Sequence, residues 1–434
     1  MSPSEQRLAE IYRALRFVPV EPESAYYVRI WEDLPYDPVS RLRRIIVNSE
    51  VQSLQFFSGF AGSGKSTQLR RLKKELESDG YLVIHADAEG YLNLGEPIDI
   101  TDLLYTLAGA LSDGLEDSHI ALKEGYWARF SNFLRDTKVE FNEASLQAGP
   151  VALKAELRAN PTLRQQIQQH LAGRVRELIN QVHGFVDEAA KRALDERGGG
   201  TRIVFLFDSL EKLRGSPSNE QEIMDRLERL FRSHRDALQL PSIHCVYSVP
   251  AWLPYVISGA QVVMIPAIKL RASRDSDLAS EQGWRKLREI VERRMEPDGR
   301  RLLFGNPEGD VYPLADKLIE VSGGAPRDLL RLFQEAVLMA DPQDPALDEA
   351  KIARAIAAVA NDFKTNIEDA HWLHQVATHK AADLPTASKG DLSRLMRLLD
   401  NHFILFFRND GDWYDIHPLI RDEVNRIVSL YPRP

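Results

Sequence analysis

One stretch of this chain constrains its fold more than any other: Leu54 to Leu72, which reads LQFFSGFAGSGKSTQLRRL. Its apolar start predicts a buried strand, and leucines at helical spacing near its end predict a helix with one apolar face. Between them, Gly59 to Ser66 matches the pattern G-x-x-x-x-G-K-[ST] at every fixed position. Strand, loop and helix follow in the order that this motif requires, so the sequence predicts an α/β fold with a parallel sheet flanked by helices.

The glycines and polar residues of this loop suit the binding of phosphate groups. Glycine lets the backbone turn tightly, so that several N–H groups surround phosphate oxygens, and the N-terminus of the following helix adds a positive dipole. Lys65 would reach the β- and γ-phosphates, and the Ser66 hydroxyl would hold Mg²⁺. The residues predicted to bind the nucleotide are Gly59, Ala61, Gly62, Ser63, Gly64, Lys65, Ser66 and Thr67. The sequence therefore predicts a protein that binds a nucleoside triphosphate with Mg²⁺, and the motif alone leaves ATP and GTP both open.

A second strand with a carboxylate at its end follows far along the chain. The run from Arg202 to Phe207 is almost wholly apolar and leads directly into Asp208. Behind a P-loop, such a strand brings one carboxylate to the bound Mg²⁺, so Asp208 is the second predicted metal ligand. Many hydrolytic P-loop enzymes carry glutamate directly after this aspartate to orient the attacking water. Here that position is Ser209 and the nearest carboxylate is Glu211, so either hydrolysis is slow or Glu211 takes the water-orienting role.

Composition and charge narrow the class of protein. The chain has 434 residues, which suggests roughly two to four domains. Its one cysteine, Cys245, cannot form an internal disulfide, and this favours a reducing compartment. The amino terminus lacks an apolar signal core and no apolar run approaches the ~20 residues that cross a bilayer, so we expect a cytoplasmic protein without a membrane partner. The net charge of −9 argues against a wholly basic nucleic-acid binder, but it leaves room for a local basic patch.

The pattern of strand and helix signals divides the chain into five parts. We predict an N-terminal helical segment at 1–50, a P-loop core at 51–111 and 201–270, a helical insertion at 112–200, a helical lid at 271–380 and a winged-helix domain at 381–434. The insertion lacks strand signals, and from Pro161 its apolar residues follow helical spacing for about six turns. It would either pack on the core or provide a contact for an oligomer or a partner.

Three residues outside these two motifs are further candidates for nucleotide contact. Arg327 lies in the first turn of a helix that Pro326 opens, and it would point back to the phosphates as a sensor of the triphosphate. Ser248 lies near the end of the predicted strand 243–249, where it would be either a γ-phosphate sensor or an ordinary strand-end serine. Tyr27 precedes the P-loop strand and would either stack on the base or pack in the core.

The motifs together resemble the signal-transduction branch of the AAA+-like ATPases, the STAND class, which includes NB-ARC and NACHT proteins. The P-loop, the strand end FLFDSLEKL and the segment GGAPRDLLRL each look like that class, over roughly residues 25–110 and 200–430. The segment GAP matches its G-x-P motif, whose proline, Pro326 here, contacts the base. The segment YDIHPLIRD resembles its Met-His-Asp region, and by that resemblance His417 would touch the β-phosphate of ADP and lock the closed state. Pro418 replaces the aspartate of that region.

The resemblance implies an ATP-binding and slowly hydrolysing molecular switch. ATP would bridge the P-loop with the lid and winged-helix modules and bias a closed–open equilibrium, with Lys65, Asp208, Glu211 and Arg327 as the catalytic residues. The open form would assemble as a homo-oligomer or expose a partner surface, and hydrolysis would reset it. Because the chain ends just past the predicted winged helix, we expect a separate effector or sensor protein to supply the output. Bacterial anti-phage defence or regulated cell death is the biology that this class suggests.

Two other classes of function remain open. In a nucleic-acid-dependent ATPase similar to origin-recognition or transposition helpers, the winged helix would bind DNA through Arg394, Arg397 and Arg408, although aspartates lie near all three. In a P-loop kinase that phosphorylates a small molecule, the large tail of lid and winged helix has no evident purpose. Product analysis that finds only ADP and inorganic phosphate would exclude the kinase.

Overall fold

The computed structural model describes residues 2–34, 36–120, 160–171, 173–198, 201–213, 220–257, 261–276, 278–307, 311–386, 388–408 and 411–432, and positions 132, 133, 135 and 309. The helical insertion was predicted at 112–200, and most of its stretch from 121 to 159 lies outside these residues. The chain forms two compact units. One, which we call the sheet unit, comprises Val39–Ser58 and Gln68–Val263, and the other, the lid unit, comprises Met1–Pro38, Gly59–Thr67 and Met264–Pro434.

A parallel sheet forms the centre of the sheet unit. Its strands are β1 (Ser53–Gly59), β2 (Leu82–Asp87), β3 (Ile203–Asp208), β4 (Ile243–Val249) and β5 (Val262–Ile265), and they lie in the order β2-β3-β4-β1-β5. The pairings of β2 with β3, β3 with β4 and β4 with β1 are parallel. The strands are rich in β-branched and aromatic residues that are buried almost throughout, as strands covered on both faces require. The predicted parallel sheet flanked by helices, with the P-loop after its first strand, is therefore confirmed.

The register of the sheet aligns the carboxyl ends of its central strands. Phe57 of β1 lies opposite Ser248 of β4, and Asp87 of β2 lies opposite Asp208 of β3. Because parallel strands point the same way, β1, β3 and β4 all end at one edge of the sheet. Open α/β sheets bind their ligands at this edge.

The helices along this part of the chain are α2 (Pro38–Asn48), α3 (Lys65–Ser78), α4 (Ile100–Asp117), α5 (Pro161–Leu171), α6 (Val175–Arg197), α7 (Glu220–Glu228) and α8 (Arg235–Leu238). Asp99 caps α4 by accepting hydrogen bonds from the N–H groups of Thr101 and Asp102. A Cβ built on Gly114 of α4 would lie 2.2 Å from Cγ2 of Ile84, so this helix packs closely on β2 because it carries glycine there.

Two helices that the sequence predicts as continuous are interrupted. The helix predicted from Pro161 ends at Leu171 and resumes only at Val175, since the exposed Gly173 between them favours a break over a helical turn. The sequence from 220 to 238 has the pattern of one amphipathic helix, but the structure contains a π-helical turn there, Arg229–Ser233, before α8. That turn carries the fully buried Phe231, whose ring packs edge to face on Phe56 of β1 with centroids 5.4 Å apart.

The helices of the lid unit are α1 (Pro3–Ala14), α9 (Glu281–Glu292), α10 (Pro297–Phe304), α11 (Pro313–Val321), α12 (Pro326–Leu338), α13 (Glu349–Ala360), α14 (Ile367–His379), α15 (Lys389–Asp400) and α16 (Pro418–Leu430). Sequence analysis missed α10, because the cluster of proline, aspartate and glycine at its start is typical of a turn. Tertiary packing explains the helix: Gly299 lies against α1, where a Cβ would be 3.1 Å from Cδ1 of Ile11.

The C-terminal part of the lid unit has the order helix, hairpin, helix that the sequence predicts. Strands β6 (Ile404–Arg408) and β7 (Asp412–Ile416) pair antiparallel between α15 and α16. We call α15 to α16 the C-terminal module. Its hairpin packs on the segment after β5, where the N–H of Ala267 donates a hydrogen bond to the carbonyl oxygen of Phe406 at 2.8 Å. The winged-helix assignment and the five domain boundaries stay predictions.

Cys245 lies in β4 and is fully buried. Burial raises the pKa of its thiol to about 12. The cysteine is therefore a core residue without the features of a reactive thiol. A separate property concerns the helices: within the described ranges, none combines the length and the apolar character that a membrane span requires.

Candidate nucleotide-binding site

The P-loop backbone turns at two glycines. Gly62 and Gly64 have φ angles of 81° and 95°, in the left-handed region that other residues rarely adopt. A Cβ built on Gly64 would meet no atom within 4 Å, so the backbone faces open space there. A Cβ built on Gly62 would lie 2.3 Å from Cβ of Arg327, so no larger residue fits. The loop is thus open beside one glycine and covered by an arginine of α12 at the other.

Lys65 and Ser63 bring buried polar atoms to this loop. Lys65 is 4% exposed, and its Nζ donates hydrogen bonds to the carbonyl oxygens of Gly59 and Phe60 at 2.8 and 3.0 Å. Ser63 Oγ is buried and has no hydrogen-bond partner among the residues described above. A buried hydroxyl in this condition costs free energy unless a ligand accepts its proton. With the N-terminus of α3 beginning at Lys65, the donors of the loop fit the phosphate groups of a nucleotide.

The N-terminal segment contacts the same loop. The N–H of Val20 donates a hydrogen bond to Oγ1 of Thr67 at 3.2 Å. The guanidinium of Arg327 lies over the ring of Phe17, 6.0 Å from its centroid. Residues 17–20 therefore join the P-loop and α12 at one place in the lid unit.

Tyr27, the residue that would either stack on a base or pack in the core, is 7% exposed. Its hydroxyl donates a hydrogen bond to Oε1 of Glu32 at 3.0 Å. This environment favours the core-packing interpretation.

Arg327 occupies the first turn of α12, as the sequence predicts, and Pro326 is the first residue of that helix. The turn before it requires glycine at position 324 for two reasons. Gly324 has a φ of 80°, and a Cβ at this position would lie 1.8 Å from the carbonyl oxygen of Ile268. The N–H of Ile268 donates to the carbonyl oxygen of Gly324 at 2.9 Å. This close approach fixes the start of α12 with Arg327 against Gly62. The nucleotide contacts of Arg327 and Pro326 stay predictions.

Asp328, the next residue, joins α12 to two histidines of the C-terminal module. Its Oδ2 accepts a hydrogen bond from Nδ1 of His402 at 2.9 Å and lies 3.4 Å from Nε2 of His417. Burial alone would raise the pKa of Asp328, but the two histidines lower it below its usual range. The ring of His402 also lies edge-on to the ring of Phe60 in the P-loop, with centroids 6.2 Å apart.

His417, for which the family resemblance implies a β-phosphate contact, is fully buried at the N-terminus of α16. Its Nδ1 accepts a hydrogen bond from the N–H of Leu419 at 3.2 Å, and its ring lies 4.6 Å from the ring of Phe363. Burial lowers the pKa of His417. His402 of the C-terminal module packs against Phe60 of the P-loop, and the phosphate contact of His417 stays a prediction.

In the sheet unit, Asp208 ends β3 as the sequence predicts. It is 3% exposed, its Oδ1 accepts a hydrogen bond from the N–H of Ser209 at 2.7 Å, and its Oδ2 lies 4.0 Å from Nε2 of His85 on β2. Ser209 has a φ of 71°, a conformation that costs a residue with a side chain about 1–2 kcal/mol. The chain therefore turns sharply directly after the carboxylate, and strain of this kind is typical of functional sites.

Glu211 and Ser248 are in contact. Ser248 Oγ donates a hydrogen bond to Oε2 of Glu211 at 2.6 Å, and Ser248 is fully buried. The structure thus brings together the candidate water-orienting carboxylate and the candidate γ-phosphate sensor, which sequence analysis treated separately. Their roles in catalysis stay predictions.

The arginines that the DNA alternative needs are paired with carboxylates. Nε of Arg394 and Nη2 of Arg397 lie 3.0 and 2.6 Å from the two carboxylate oxygens of Asp369, which is 3% exposed. Nε of Arg408 lies 2.5 Å from Oδ1 of Asp412, across the hairpin. Contact with DNA phosphates would have to replace these ion pairs.

Sequence analysis missed Asp328 and His402. An aspartate in the first turn of a helix has the ordinary explanation that it complements the helix dipole. His402 stands in a turn between α15 and β6, 74 residues away in the chain, so no local spacing connects the two. Only their contacts in the folded structure identify these two residues.

No family model matches the chain. No curated protein matches it. Among solved structures, it is similar to the Walker-type ATPase PABY2304 of Pyrococcus abyssi, with 15% identity and a TM-score of 0.38 over 93% of this chain and 100% of that chain. It is also similar to the ORC2 protein of Aeropyrum pernix in ADPNP–ADP complexes, with 13% identity and a TM-score of 0.42 over 96% of each chain. For Cdc6p from Pyrobaculum aerophilum, the identity is 11% and the TM-score 0.36 over 96% of this chain and 100% of that chain. At these values none of the likenesses assigns a function to this chain.

Proposed function

We propose that this protein is an ATP-binding molecular switch that hydrolyses ATP slowly and changes its assembly or its partner binding with the nucleotide state. The observation that carries the proposal is the packing of Arg327 on Gly62, because it brings a cation of α12 to the loop that would hold the phosphates. A guanidinium here would bind a γ-phosphate through charge-assisted hydrogen bonds and would lose them after hydrolysis. The lid helix would therefore distinguish ATP from ADP.

The remaining residues of the site have matching roles. Lys65 and the N–H groups of the loop would bind the β- and γ-phosphates, and Ser66 and Asp208 would hold Mg²⁺, which neutralises phosphate charge. Glu211, hydrogen-bonded by Ser248, would orient the attacking water. Because no carboxylate follows Asp208 directly, we expect slow turnover, which suits a switch.

The finer features of the proposal rest on the resemblance to STAND ATPases. Pro326 would contact the base, and the C-terminal module, as a winged helix, would close over the nucleotide. The buried contact of His417 with Asp328 supports a role for this histidine in holding the closed module. The same proposal includes four further features: assembly as a homo-oligomer, a separate effector or sensor protein, a part in bacterial defence and a cytoplasmic location.

The proposal is tested by measuring the molecular masses of the assemblies that the purified protein forms. The three conditions are Mg²⁺ with ATP, Mg²⁺ with ADP, and no nucleotide. We expect ATP to change the assembly of the wild type and to leave Lys65→Ala unchanged. Lys73→Ala is the matched control, because Lys73 is exposed on the same helix and pairs with Glu77 at 3.9 Å. Identical wild-type distributions under all three conditions would contradict a switch.

A nucleic-acid-dependent ATPase is the second candidate. The order helix, antiparallel hairpin, helix in the C-terminal module favours it, because winged helices of DNA-binding proteins have this order. A salt-sensitive gel shift that Arg394→Glu abolishes would support this function. Absence of binding even at low salt would contradict it.

A further inference from the structure

Two adjacent residues of α12 contact the P-loop in two different ways. Arg327 packs directly on Gly62. Asp328 reaches Phe60 through His402, which donates a hydrogen bond to Asp328 and packs edge-on against the Phe60 ring. The first turn of α12 therefore contacts the P-loop directly at Gly62 and, through His402, at Phe60.

His402 has an uncommon backbone conformation at the place where it makes this contact. Its φ is 61°, in the left-handed region, which histidine adopts more often than most residues but still rarely. Its backbone N–H bonds to the carbonyl oxygen of Leu399 at 3.2 Å, and its side chain is buried beside Asp328. Because the turn is strained and the buried carboxylate of Asp328 holds the imidazole ring, the ring of His402 has a fixed orientation, in which it faces the P-loop.

We propose that Asp328 is a positioning residue of the nucleotide site, which fixes Arg327 over the P-loop and connects the loop to the C-terminal module through His402 and His417. This inference rests on the proposed function and deepens it. It assigns the connection between P-loop and C-terminal module to the Asp328–His402 pair.

Asp328 limits the conformational freedom of Arg327. An arginine has a long flexible side chain, so it can discriminate a γ-phosphate only if its backbone is fixed with respect to the loop. Asp328 fixes that backbone, because two histidines from a different part of the chain hold its carboxylate. ADP has no γ-phosphate for Arg327 to bind, so in the proposed site its affinity would depend on the loop and Lys65. Loss of the Asp328 contacts should therefore reduce the preference for ATP over ADP and leave ADP affinity nearly unchanged.

The test measures dissociation constants for a fluorescent non-hydrolysable ATP analogue and a fluorescent ADP analogue in the presence of Mg²⁺. Asp328→Asn keeps the size of the side chain and removes its charge. We expect it to lower the ATP-to-ADP affinity ratio about tenfold, the effect of one charge-assisted hydrogen bond, with ADP affinity within about twofold of the wild type.

Substitutions of His402 separate positioning from general stability. His402→Ala should lower the ratio as much as Asp328→Asn, and the double variant should show no further loss, because both changes break one connection. His402→Asn should restore the ratio, since asparagine donates from its side-chain amide and tolerates a positive φ.

Asp369→Asn is the matched control, because Asp369 is also a buried carboxylate held by two side chains of another helix, those of Arg394 and Arg397. It should lower the melting temperature without changing the affinity ratio. An unchanged ratio in Asp328→Asn, or full additivity with His402→Ala, would overturn the positioning role. If Asp328→Asn does not fold, the positioning role is tested by His402→Ala and His402→Asn alone: the ATP-to-ADP affinity ratio must be low in the first and restored in the second. Equal wild-type affinities for the two nucleotides would instead overturn the switch itself, and the positioning role with it.

Discussion

Two clusters of polar residues differ in how the fold holds them. In the P-loop cluster of the lid unit, Arg327 and Asp328 of α12 meet His402, which lies 74 residues beyond Asp328 in the chain, at the loop. In the strand-end cluster of the sheet unit, Asp208 ends one strand, Glu211 follows it, and Ser248 lies near the end of the neighbouring strand. The first cluster depends on contacts between separate segments, whereas the second depends on the register of one sheet.

This difference suggests a division of roles. Sheet register fixes side chains relative to one another with little freedom, which suits groups that must hold a metal ion and a water molecule for chemistry. Contacts between separate segments have alternative arrangements, so a ligand can change them. We expect substitutions in the strand-end cluster to lower the rate of hydrolysis and substitutions in the P-loop cluster to change nucleotide affinity.

The largest effect should come from Asp208→Asn in the strand-end cluster. Loss of the carboxylate that is proposed to hold Mg²⁺ should lower Mg²⁺-dependent phosphate release by roughly 100-fold or more, while nucleotide affinity changes much less. Asp87→Asn is the control, because Asp87 lies opposite Asp208 at the end of β2 and is exposed. A phosphate-release assay near the wild-type rate would remove Asp208 from the catalytic set.

The next largest effect should come from Gly62→Ala in the P-loop cluster. The added methyl group cannot fit against Arg327, so the loop must shift, and we expect ATP affinity to fall by about 2–2.7 kcal/mol, roughly 30- to 100-fold. Truncation of Arg327 to alanine would not relieve this clash, because it involves the Cβ of that residue.

Gly80→Ala is a matched control for this change. Gly80 has a φ of 88°, close to that of Gly62, but a Cβ there would meet no atom within 4 Å. It therefore carries the same backbone strain without the clash. Calorimetric titration that finds equal ATP affinities for the two variants would contradict the close contact between α12 and the loop.

A smaller effect should come from the Glu211–Ser248 pair. Glu211→Gln keeps the hydrogen bond from Ser248 but removes the charge that is proposed to orient water, and we expect turnover to fall about tenfold. Ser248→Ala leaves the carboxylate in place and should cost about threefold. Nucleotide affinity should not change in either variant. If Glu211→Gln turns over at the wild-type rate, its proposed role is wrong.

The last expected effect concerns stability and not nucleotide chemistry, and it is a pH dependence in the sheet unit. Burial lowers the pKa of His244 to about 4, whereas an unfolded histidine titrates near 6.5. Between these values the unfolded chain binds a proton that the folded chain does not, so stability falls as pH falls. From pH 7.5 to 5.5 the loss from His244 should be about 1.4 kcal/mol.

Urea unfolding of wild type and His244→Gln at both pH values measures this contribution. The variant should lose the dependence that His244 causes and keep whatever His417 contributes in the lid unit, where the sign is the same because burial also lowers the pKa of His417. Equal pH dependence in the two proteins would show that His244 is not buried in its neutral form.

Most of the fold could be predicted because its signals are local. The apolar runs 243–249 and 262–265 are bounded by turn residues, and the strands β4 and β5 have the same limits. The errors came from packing that no local pattern records. Gly299 helps to form a helix because Ile11 covers it, and the buried Phe231 lies in a π-helical turn inside a predicted regular helix.

The candidate site was predictable only in its motifs. The P-loop, Asp208 and Arg327 follow from residue type and spacing, but the partner of Asp328 lies 74 residues away and that of Glu211 lies 37 residues away. The basic residues of the C-terminal module show the same limit. Arg394 and Arg397 suggest a DNA surface in the sequence, whereas the structure places both on the buried Asp369.

Cys245 makes the sheet observable without any substitution. It is the one thiol of the chain, it is fully buried in β4 between β3 and β1, and its high pKa keeps it from reacting in place. A thiol reagent can reach it only when the strands separate, so the labelling rate in native buffer reports how often the sheet opens. Comparing that rate with and without ATP would measure how far the nucleotide protects the sheet from such openings.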